Sequence, residues 1–206
     1  MSDPTLTNAN LCCVSAEPTS RRDQILATAA ELFAARGFHG VSVADLGAAC
    51  GISGPALYKH FASKDAVLAE MLVSISEELL AVGRRRVTDA GDPVAALHGL
   101  VDWHVEFALR HRALIVVQDR DWESLPRDAR EQVRTLQREY VDLWADQLGH
   151  VHPGLDVDRG RAMAHAAFGL INSTPHSGLL PDPAMRRLLS EMAVRSLDVT
   201  ARASGG

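Results

Sequence analysis

Apolar side chains recur every three or four residues along most of this chain, a spacing typical of amphipathic helices. The first such segment places Ile25, Ala29 and Phe33 on one face. The sequence contains no internal repeat and no run of alternating apolar and polar residues, which would mark a strand. We therefore predict an all-α protein with helices over residues 63–82, from 93 onward, 127–148, 157–172 and 184–199, and a short apolar segment at 113–118.

Residues 42–61, SVADLGAACGISGPALYKHF, are predicted to form two short helices joined by a glycine turn. Ser42 is a typical N-cap, and Asp45 follows at the position that completes a capping box. Gly51 is expected to end the first helix, because glycine adopts a left-handed conformation without penalty. Ser53 is expected to cap the second. This arrangement is typical of helix-turn-helix proteins, which present a helix end to the major groove of DNA.

The second of these helices is predicted to have one buried and one exposed face. Leu57 and Phe61 lie four residues apart and are expected to point inward. Small residues occupy its first turn, and a phenol, an ammonium and an imidazole follow, a combination that allows close approach to phosphates and base edges. The predicted DNA-binding residues are Ser42, Ser53, Gly54, Pro55, Ala56, Tyr58, Lys59, His60 and Lys64.

With its flanks, this segment resembles the N-terminal DNA-binding domain of the TetR family of bacterial transcriptional regulators. The likeness spans residues 21–72 and includes the Gly37-Phe38 turn, and its most specific part is the run LYKHFASKDAVL. The resemblance implies a three-helix helix-turn-helix domain at 20–65 and a larger helical ligand-binding and dimerisation domain at 66–206. It also implies an inverted-repeat operator, with repression as the usual outcome. The alternative is a generic helical hairpin with a solvated basic edge.

Charge and composition limit the possible partners without changing the fold class. The chain has 206 residues and a net charge of −5, yet residues 20–65 hold five basic and four acidic side chains. Contact with DNA must therefore depend on a few placed groups, helix N-termini and dimerisation. Residues 1–19 lack the pattern of a secretory signal, and we expect a flexible arm. Because no apolar run approaches ~18 residues, we expect a cytoplasmic protein with no membrane partner.

The segment from Arg159 to Asn172 is apolar on two faces, and a helix of this kind must be covered from both sides. Its many alanines and glycines allow a second helix to approach closely. We expect a homodimer in which this helix and the last helix of each subunit form a four-helix contact about a two-fold axis, which is also where the family dimerises. The alternative is that both faces are buried within one chain.

The C-terminal part also carries polar and aromatic residues on apolar helix faces. For each residue alone, ordinary core packing is the simpler interpretation, because buried Trp and His usually find partners without a ligand. Together they favour an apolar or aromatic effector with a polar head. The segments HRALIVVQDRDWESLP and LDVDRGRAMAHAAFGLINSTPHS resemble regulators of this family that sense lipid-derived or acyl-CoA-type ligands. The predicted effector-binding residues are Trp103, His104, Phe107, Trp122, Trp144, His165, Phe168 and Asn172.

Effector binding among these helices is expected to tilt the helix at 63–82, which connects the two parts of the chain. The separation of the two DNA-binding domains would then change, and the DNA-competent state would lose population.

Other functional classes have little support in the sequence. Residues 51–55 approach the G-x-S-x-G nucleophile motif but lack its final glycine. The pairs His104/His111 and His150/His152 have no matching Cys or carboxylate pattern for a metal. We therefore expect no enzyme activity, no cofactor and no metal site. A metal-responsive regulator and a helical interaction module without DNA binding are kept as alternatives.

Overall fold

The computed structural model describes residues 20–199 and contains no strand in that range, which confirms the predicted all-α class. The predicted arm at 1–19 lies outside the described residues. Short 3-10 turns occur at 122–124 and 174–176. The α-helices are α1 (Arg21–Arg36), α2 (Val43–Ala49), α3 (Gly54–Leu57), α4 (Lys64–Thr88), α5 (Pro93–Arg110), α6 (Arg112–Asp121), α7 (Arg127–Val151), α8 (Val157–Ile171) and α9 (Asp182–Ser196).

Two hydrophobic cores share helix α4. The N-terminal core is built from α1, α2, α3 and the first turns of α4, and it includes Phe33, Leu46 and Leu72. Val117 of α6 and Val133 of α7 also enter this core, so C-terminal helices pack against the N-terminal ones. The second half of α4 packs with α5, α7, α8 and α9 in a larger core. The domain boundary proposed after residue 65 therefore falls inside a continuous helix of 25 residues.

Helix α4 is longer than the sequence pattern predicts, because it continues past Val82 to Thr88. No glycine-proline break occurs before Gly91, so nothing in the sequence stops the helix earlier. Gly83 is accommodated for a packing reason. A Cβ at this position would lie 2.6 Å from the Tyr140 ring, so glycine lets α4 and α7 approach this closely without displacing that ring.

Three other helices also differ from the predictions in their boundaries. Helix α6 is a complete helix where only an apolar segment at 113–118 was expected, and α7 ends at Val151 rather than at residue 148. Helix α9 begins at Asp182 and ends at Ser196, earlier at both ends than the predicted 184–199. Pro183 explains the early start, because proline is well tolerated in the first turn of a helix.

Candidate DNA-binding surface and effector cavity

Side-chain caps fix the start of α1 and α2. The hydroxyls of Ser20 and Ser42 each accept a hydrogen bond from the amide of the aspartate three positions later, at 3.1 Å. Asp23 and Asp45 accept from the amides of the capping serines at 3.0 and 2.8 Å, which completes two capping boxes. Hydrogen bonds from Ser42 lower the pKa of Asp45 below its usual value. The predicted cap at Ser42 is confirmed, and its contact with DNA stays a prediction.

The turn between α2 and α3 depends on two glycines. Gly51 adopts a φ of 67°, in the left-handed region, as the sequence predicts. The amide of Ile52 then donates to the carbonyl of Gly47 at 2.9 Å, which draws the turn against α2. A Cβ on Gly47 would lie 2.8 Å from the carbonyl oxygen of Ile52. Gly47 is therefore required by a close backbone approach, which the sequence analysis did not identify.

Helix α3 is very short and ends at Leu57. Its cap is the predicted one, because the Ser53 hydroxyl accepts from the Ala56 amide at 3.3 Å. Pro55 lies in the first turn. Leu57 and Phe61 are both buried, as the sequence predicts, and they anchor this segment to the N-terminal core.

Tyr58 and Lys59 follow α3 directly and face solvent. The side chain of Tyr58 is 55% exposed. Lys59 is also exposed, and its ammonium has no hydrogen bond or ion pair with residues 20–199. His60 is half-buried, and its carbonyl accepts a hydrogen bond from Arg22. Two side chains with hydrogen-bonding capacity, Tyr58 and Lys59, are therefore presented together at the end of a capped and anchored helix.

Most of the other positive charge in the N-terminal part is used internally. Arg21 and Arg22 donate to backbone carbonyls that follow α2 and α3. Arg22 also pairs with Glu70, which ties α1 to α4. Arg36 lies 3.8 Å from the carboxylate of Asp45. These arginines stabilise the arrangement of α1 to α4 more directly than they could attract DNA.

Lys64 has an internal role in the structure. Its ammonium donates to the carbonyls of Phe38 and Val41 at 2.8 and 2.7 Å, and it lies 4.2 Å from the centre of the Phe38 ring. The half-buried side chain therefore holds the turn after α1 against the start of α4. Because its charge is already engaged, we leave Lys64 out of the proposed DNA contacts. Lys59 is then the one lysine or arginine of residues 20–65 without a partner in the described part of the chain.

A cavity of about 310 Å³ lies between α4, α5, α6, α7 and α8. Such a cavity, mostly apolar with a few polar groups, is typical of small-molecule sites. Five of the eight predicted effector-binding residues line it, namely His104, Phe107, His165, Phe168 and Asn172. The other lining residues are Ile75, Ser76, Leu79, Leu114, Ile115, Gln118, Asp119, Leu136, Gln137, Tyr140, Val141 and Gly169.

The three predicted tryptophans do not line the cavity. Trp103 packs between α4 and α5, and its indole N–H donates to the carbonyl of Leu79 at 3.0 Å. Trp122 packs against the N-terminal core, with the Arg134 guanidinium 5.6 Å from its ring. Trp144 is fully buried beside the lining residue Phe168. These three residues pack in the hydrophobic cores, and their contact with an effector stays a prediction.

His104 is held in a neutral form within this site. Its Nε2 is 3.2 Å from Oδ1 of Asn172, an acceptor, so Nε2 carries the proton. Its ring stacks on Phe168, with centroids 4.5 Å apart and planes 12° apart. Burial lowers the pKa of His104 to about 4, although the hydrogen bond to Asn172 opposes this effect. At neutral pH the imidazole therefore contributes an aromatic surface without a charge.

The aromatic cluster around His104 contains polar atoms without partners. His104 Nδ1, the Tyr140 hydroxyl and the Trp144 indole N–H make no hydrogen bond of normal geometry to a described residue. Burial raises the pKa of Tyr140 well above its usual value, with a small opposing effect from Trp144. Such atoms are rare in protein interiors, because each one loses its bond to water without replacement. Small shifts of these rings could pair them, so this packing has room to change.

Helix α6 connects the cavity with the N-terminal domain, a link the sequence analysis missed. The residues before Arg120 line the cavity, whereas Arg120 itself donates to the carbonyls of Phe33 and Ala34 at the end of α1. Asp121, which is buried and paired with Arg120, accepts from the amide of Phe38 at 3.2 Å. Movement of α6 would therefore pull directly on the end of α1. No sequence pattern marked this contact, because its partners are backbone atoms more than 80 positions away.

Helices α8 and α9 leave apolar side chains exposed. Val157 of α8 and Leu188 and Met192 of α9 have exposed fractions of 55%, 42% and 46%. On α8, Ala166 is also exposed, as is His165 beside it. Exposed apolar surface of this kind marks interaction sites when it is contiguous.

Two further findings limit the kinds of site present. Among residues 20–199, no group of three or more His, Cys, Asp or Glu side chains could hold a metal ion. None of the helices in the described range combines the length and apolar character needed to cross a membrane.

Comparison with known proteins identifies two family matches. The family model described as "Bacterial regulatory proteins, tetR family" matches residues 25–71. The model described as "Tetracyclin repressor-like, C-terminal domain" matches residues 90–176. The first match covers the helix-turn-helix segment, and the second covers most of the helices around the cavity.

Individual relatives give the same result. The chain is 31% identical to the HTH-type transcriptional repressor KstR2 of Mycobacterium tuberculosis (strain ATCC 25618 / H37Rv), over 70% of this chain and 76% of that protein. The structure of the TetR family regulator PfmR from Thermus thermophilus matches with a TM-score of 0.76 and 25% identity, covering 90% and 100% of the two chains. The structure of KstR2 of Mycobacterium tuberculosis, described as a ketosteroid transcriptional regulator, matches with a TM-score of 0.70 and 25% identity, covering 88% and 95%.

Proposed function

Because this chain belongs to the tetR family of bacterial regulatory proteins, we propose that it is a cytoplasmic repressor that binds an inverted-repeat operator as a homodimer. A small hydrophobic effector in the central cavity would release it from DNA. The single observation that carries this proposal is the joint exposure of Tyr58 and Lys59 at the end of a capped helix-turn-helix. Regulators of this family bind DNA and are not enzymes, which agrees with the absence of a catalytic motif from the sequence.

Contact with DNA is proposed to centre on α3 and the residues that follow it. The small residues Gly54, Pro55 and Ala56 let the backbone approach a phosphate closely, and Ser53 lies directly before them. Tyr58 and Lys59 would reach phosphates or base edges in the major groove. With so little free positive charge, binding should depend on placed contacts rather than on a broad basic field, and it should weaken at high salt.

Dimerisation through α8 and α9 is supported by the apolar side chains that these helices expose. If a second copy of the chain packs its α8 and α9 against these helices about a two-fold axis, the exposed apolar side chains of both copies become buried. The two α3 segments would then face successive major grooves, about one helical turn or ~34 Å apart.

The effector is proposed to act through two helices. Helix α4 lines the cavity, and its first turns pack in the N-terminal core. A tilt of this helix on effector binding would therefore reach the DNA-binding domain. Helix α6 adds a second connection through Arg120 and Asp121. An effector that prefers one arrangement of these helices would shift the separation of the DNA-binding domains, and a coupling of ~1–3 kcal/mol is sufficient for partial release.

The chemical class of the effector is proposed from the cavity and from one relative. The mostly apolar lining favours a hydrophobic molecule, and the description of KstR2 as a ketosteroid regulator supports a lipid-derived one. An acyl-CoA-type effector has weaker support, because the described lining offers no cation for its phosphates.

Selection of bound DNA from a random pool tests this function. We expect enrichment of an inverted repeat whose half-sites are one helical turn apart, and a dimer in native mass spectrometry. A pool that shows no enrichment would contradict the proposal and favour an interaction module without sequence-specific DNA binding. Elemental analysis of the same sample checks the metal-responsive alternative.

A further inference from the structure

The charges around the cavity restrict which effectors it can accept, on the premise from the proposed function that the cavity is the effector site. Among the residues that line it, the structure describes no lysine or arginine, and Asp119 is the only carboxylate. The carboxylate of Asp119 is exposed to solvent and makes no ion pair or hydrogen bond with any described residue. An anionic group that binds beside Asp119 would be repelled by this carboxylate and would find no lysine or arginine in the lining, which disfavours its binding.

The polar groups that could contact a ligand lie near this carboxylate and across the cavity. Gln118 precedes Asp119 on α6, and Gln137 lines the cavity from α7. Their amides can accept or donate, whereas an ionised carboxylate only accepts hydrogen bonds. The hydroxyl of Ser76 is already used, because it donates to the carbonyl of Leu72 at 2.7 Å. Asp119 therefore favours a ligand group that donates a hydrogen bond, whereas the hydroxyl of Tyr140, which also lines the cavity, can itself donate.

The rest of the cavity suits an apolar body with a ring. Phe107, Tyr140 and Phe168 contribute aromatic surface, and the planes of Tyr140 and Phe168 lie 21° apart. His104 stacks against the same rings without a charge at neutral pH. Rings pack favourably against such surfaces in offset or edge-on geometry.

We propose that the effector is an apolar molecule whose head donates a hydrogen bond to Asp119, through a hydroxyl or an ammonium group, and which carries no negative charge. Carboxylates, and coenzyme A thioesters whose phosphates lie beside Asp119, are thereby disfavoured as ligands of the cavity. Asp119 is the residue that determines this specificity, while the aromatic rings bind the body of the ligand.

Calorimetric titration of the full chain at pH 7 tests this proposal with matched probes. They are 1-naphthalenemethanol, 1-naphthylmethylammonium and 1-naphthoate, which share one ring system, together with isovaleryl coenzyme A. We expect the alcohol and the ammonium to bind at least about tenfold more tightly than 1-naphthoate, a difference of about 1.4 kcal/mol. The coenzyme A thioester should bind no better than the carboxylate.

Two variants assign the preference to one residue. Asp119→Asn removes the negative charge, so 1-naphthoate should bind more tightly and 1-naphthylmethylammonium less tightly. The ratio of their two affinities should then fall below about threefold. Asp89→Asn makes the same change at the end of α4, outside the cavity lining, and should leave the ratio unaltered. The proposal is overturned if 1-naphthoate or the thioester binds as tightly as the alcohol, if Asp119→Asn leaves the ratio unchanged, or if none of the naphthalene probes binds.

A parallel operator-binding assay separates this inference from the proposed function. If the carboxylate or the thioester binds and releases DNA, the charge preference is wrong while the regulator function stands. If the alcohol binds with the expected preference but leaves operator affinity unchanged, the cavity chemistry is right and its effector role is wrong.

Discussion

The N-terminal domain and the effector cavity differ in how completely their polar groups are paired. In the N-terminal domain, capping serines, arginines and Lys64 satisfy helix ends and turn carbonyls. In the described part of the chain, every buried side-chain nitrogen or oxygen without a partner belongs to α5, α7 or the residue between α5 and α6, and two of these atoms, on His104 and Tyr140, belong to residues that line the cavity. A domain that fits DNA needs one fixed geometry, whereas a cavity that transmits a signal needs more than one accessible packing.

The largest effect is expected from Gly47→Ala in the N-terminal domain. The new Cβ would meet the backbone of Ile52 at 2.8 Å, and backbone in a capped turn cannot move away. We expect a loss of about 3 kcal/mol in unfolding free energy, measured by urea denaturation. Gly149→Ala is the matched control, because its Cβ would have open space and alanine favours the helix. Equal stability of the two variants would contradict the rigid close approach.

Acidification should weaken the cavity region through His104. The folded-state pKa of His104 is lowered by burial from 6.5 to about 4, so the unfolded chain binds a proton that the folded protein does not between these pH values. Stability is therefore retained above pH 6.5 and falls as the pH drops towards 4, by ~2 kcal/mol at pH 5. His111, whose pKa burial also lowers to about 4, acts in the same direction.

Urea denaturation at pH 7 and pH 5 measures this loss. His104→Gln removes the titrating group and should lose less stability between the two pH values than the unchanged protein. The same loss in both proteins would show that His104 is accessible to protons in the folded state.

Gly83→Ala should have a smaller effect than Gly47→Ala, although its Cβ would approach a neighbour more closely. The neighbour is the Tyr140 ring, at 2.6 Å, and this ring borders the cavity and can move into it. We expect a loss of about 1 kcal/mol in unfolding free energy and weaker binding of 1-naphthalenemethanol in calorimetry. If the loss equals that of Gly47→Ala, the cavity wall is as rigid as the DNA-binding domain.

Asp121→Asn tests the connection between the two regions. Asparagine keeps an acceptor for the Phe38 amide but loses the charge that pairs with Arg120, so a stability loss of about 1 kcal/mol is expected. The larger consequence should be functional, because 1-naphthalenemethanol would still bind yet reduce operator affinity less than in the unchanged protein. Unaltered release of the operator, measured by fluorescence anisotropy, would assign the coupling to α4 alone.

The two regions also differ in how far the sequence could predict them. The caps at Ser42 and Ser53, the turn at Gly51 and the inward Leu57 were all predictable, because they depend on residues close in sequence. Lys64 was predicted to contact DNA as part of the run LYKHFASKDAVL. Its actual partners are carbonyls more than 20 positions earlier, which no local pattern indicates.

For the cavity, the sequence indicated which apolar helix faces carry polar or aromatic residues. It did not indicate which of these residues line a cavity. His104 and Phe168 line the cavity, whereas Trp144 on the same apolar side of α7 as Tyr140 is buried behind it. Neither Tyr140 nor Asp119 was predicted to line a ligand site. Both line the cavity only because five helices meet there, and that arrangement follows from tertiary packing rather than helical periodicity.

The most direct test of the account is the affinity of Tyr58→Ala/Lys59→Ala for the selected operator, measured by fluorescence anisotropy. Two copies of this change in a dimer should weaken binding at least about 30-fold, or ~2 kcal/mol, with no change in thermal stability, because both side chains are exposed. Arg85→Ala, an exposed residue on α4 that removes the same charge, should leave affinity nearly unchanged. Undiminished operator affinity in the double variant would contradict the proposed DNA-binding surface.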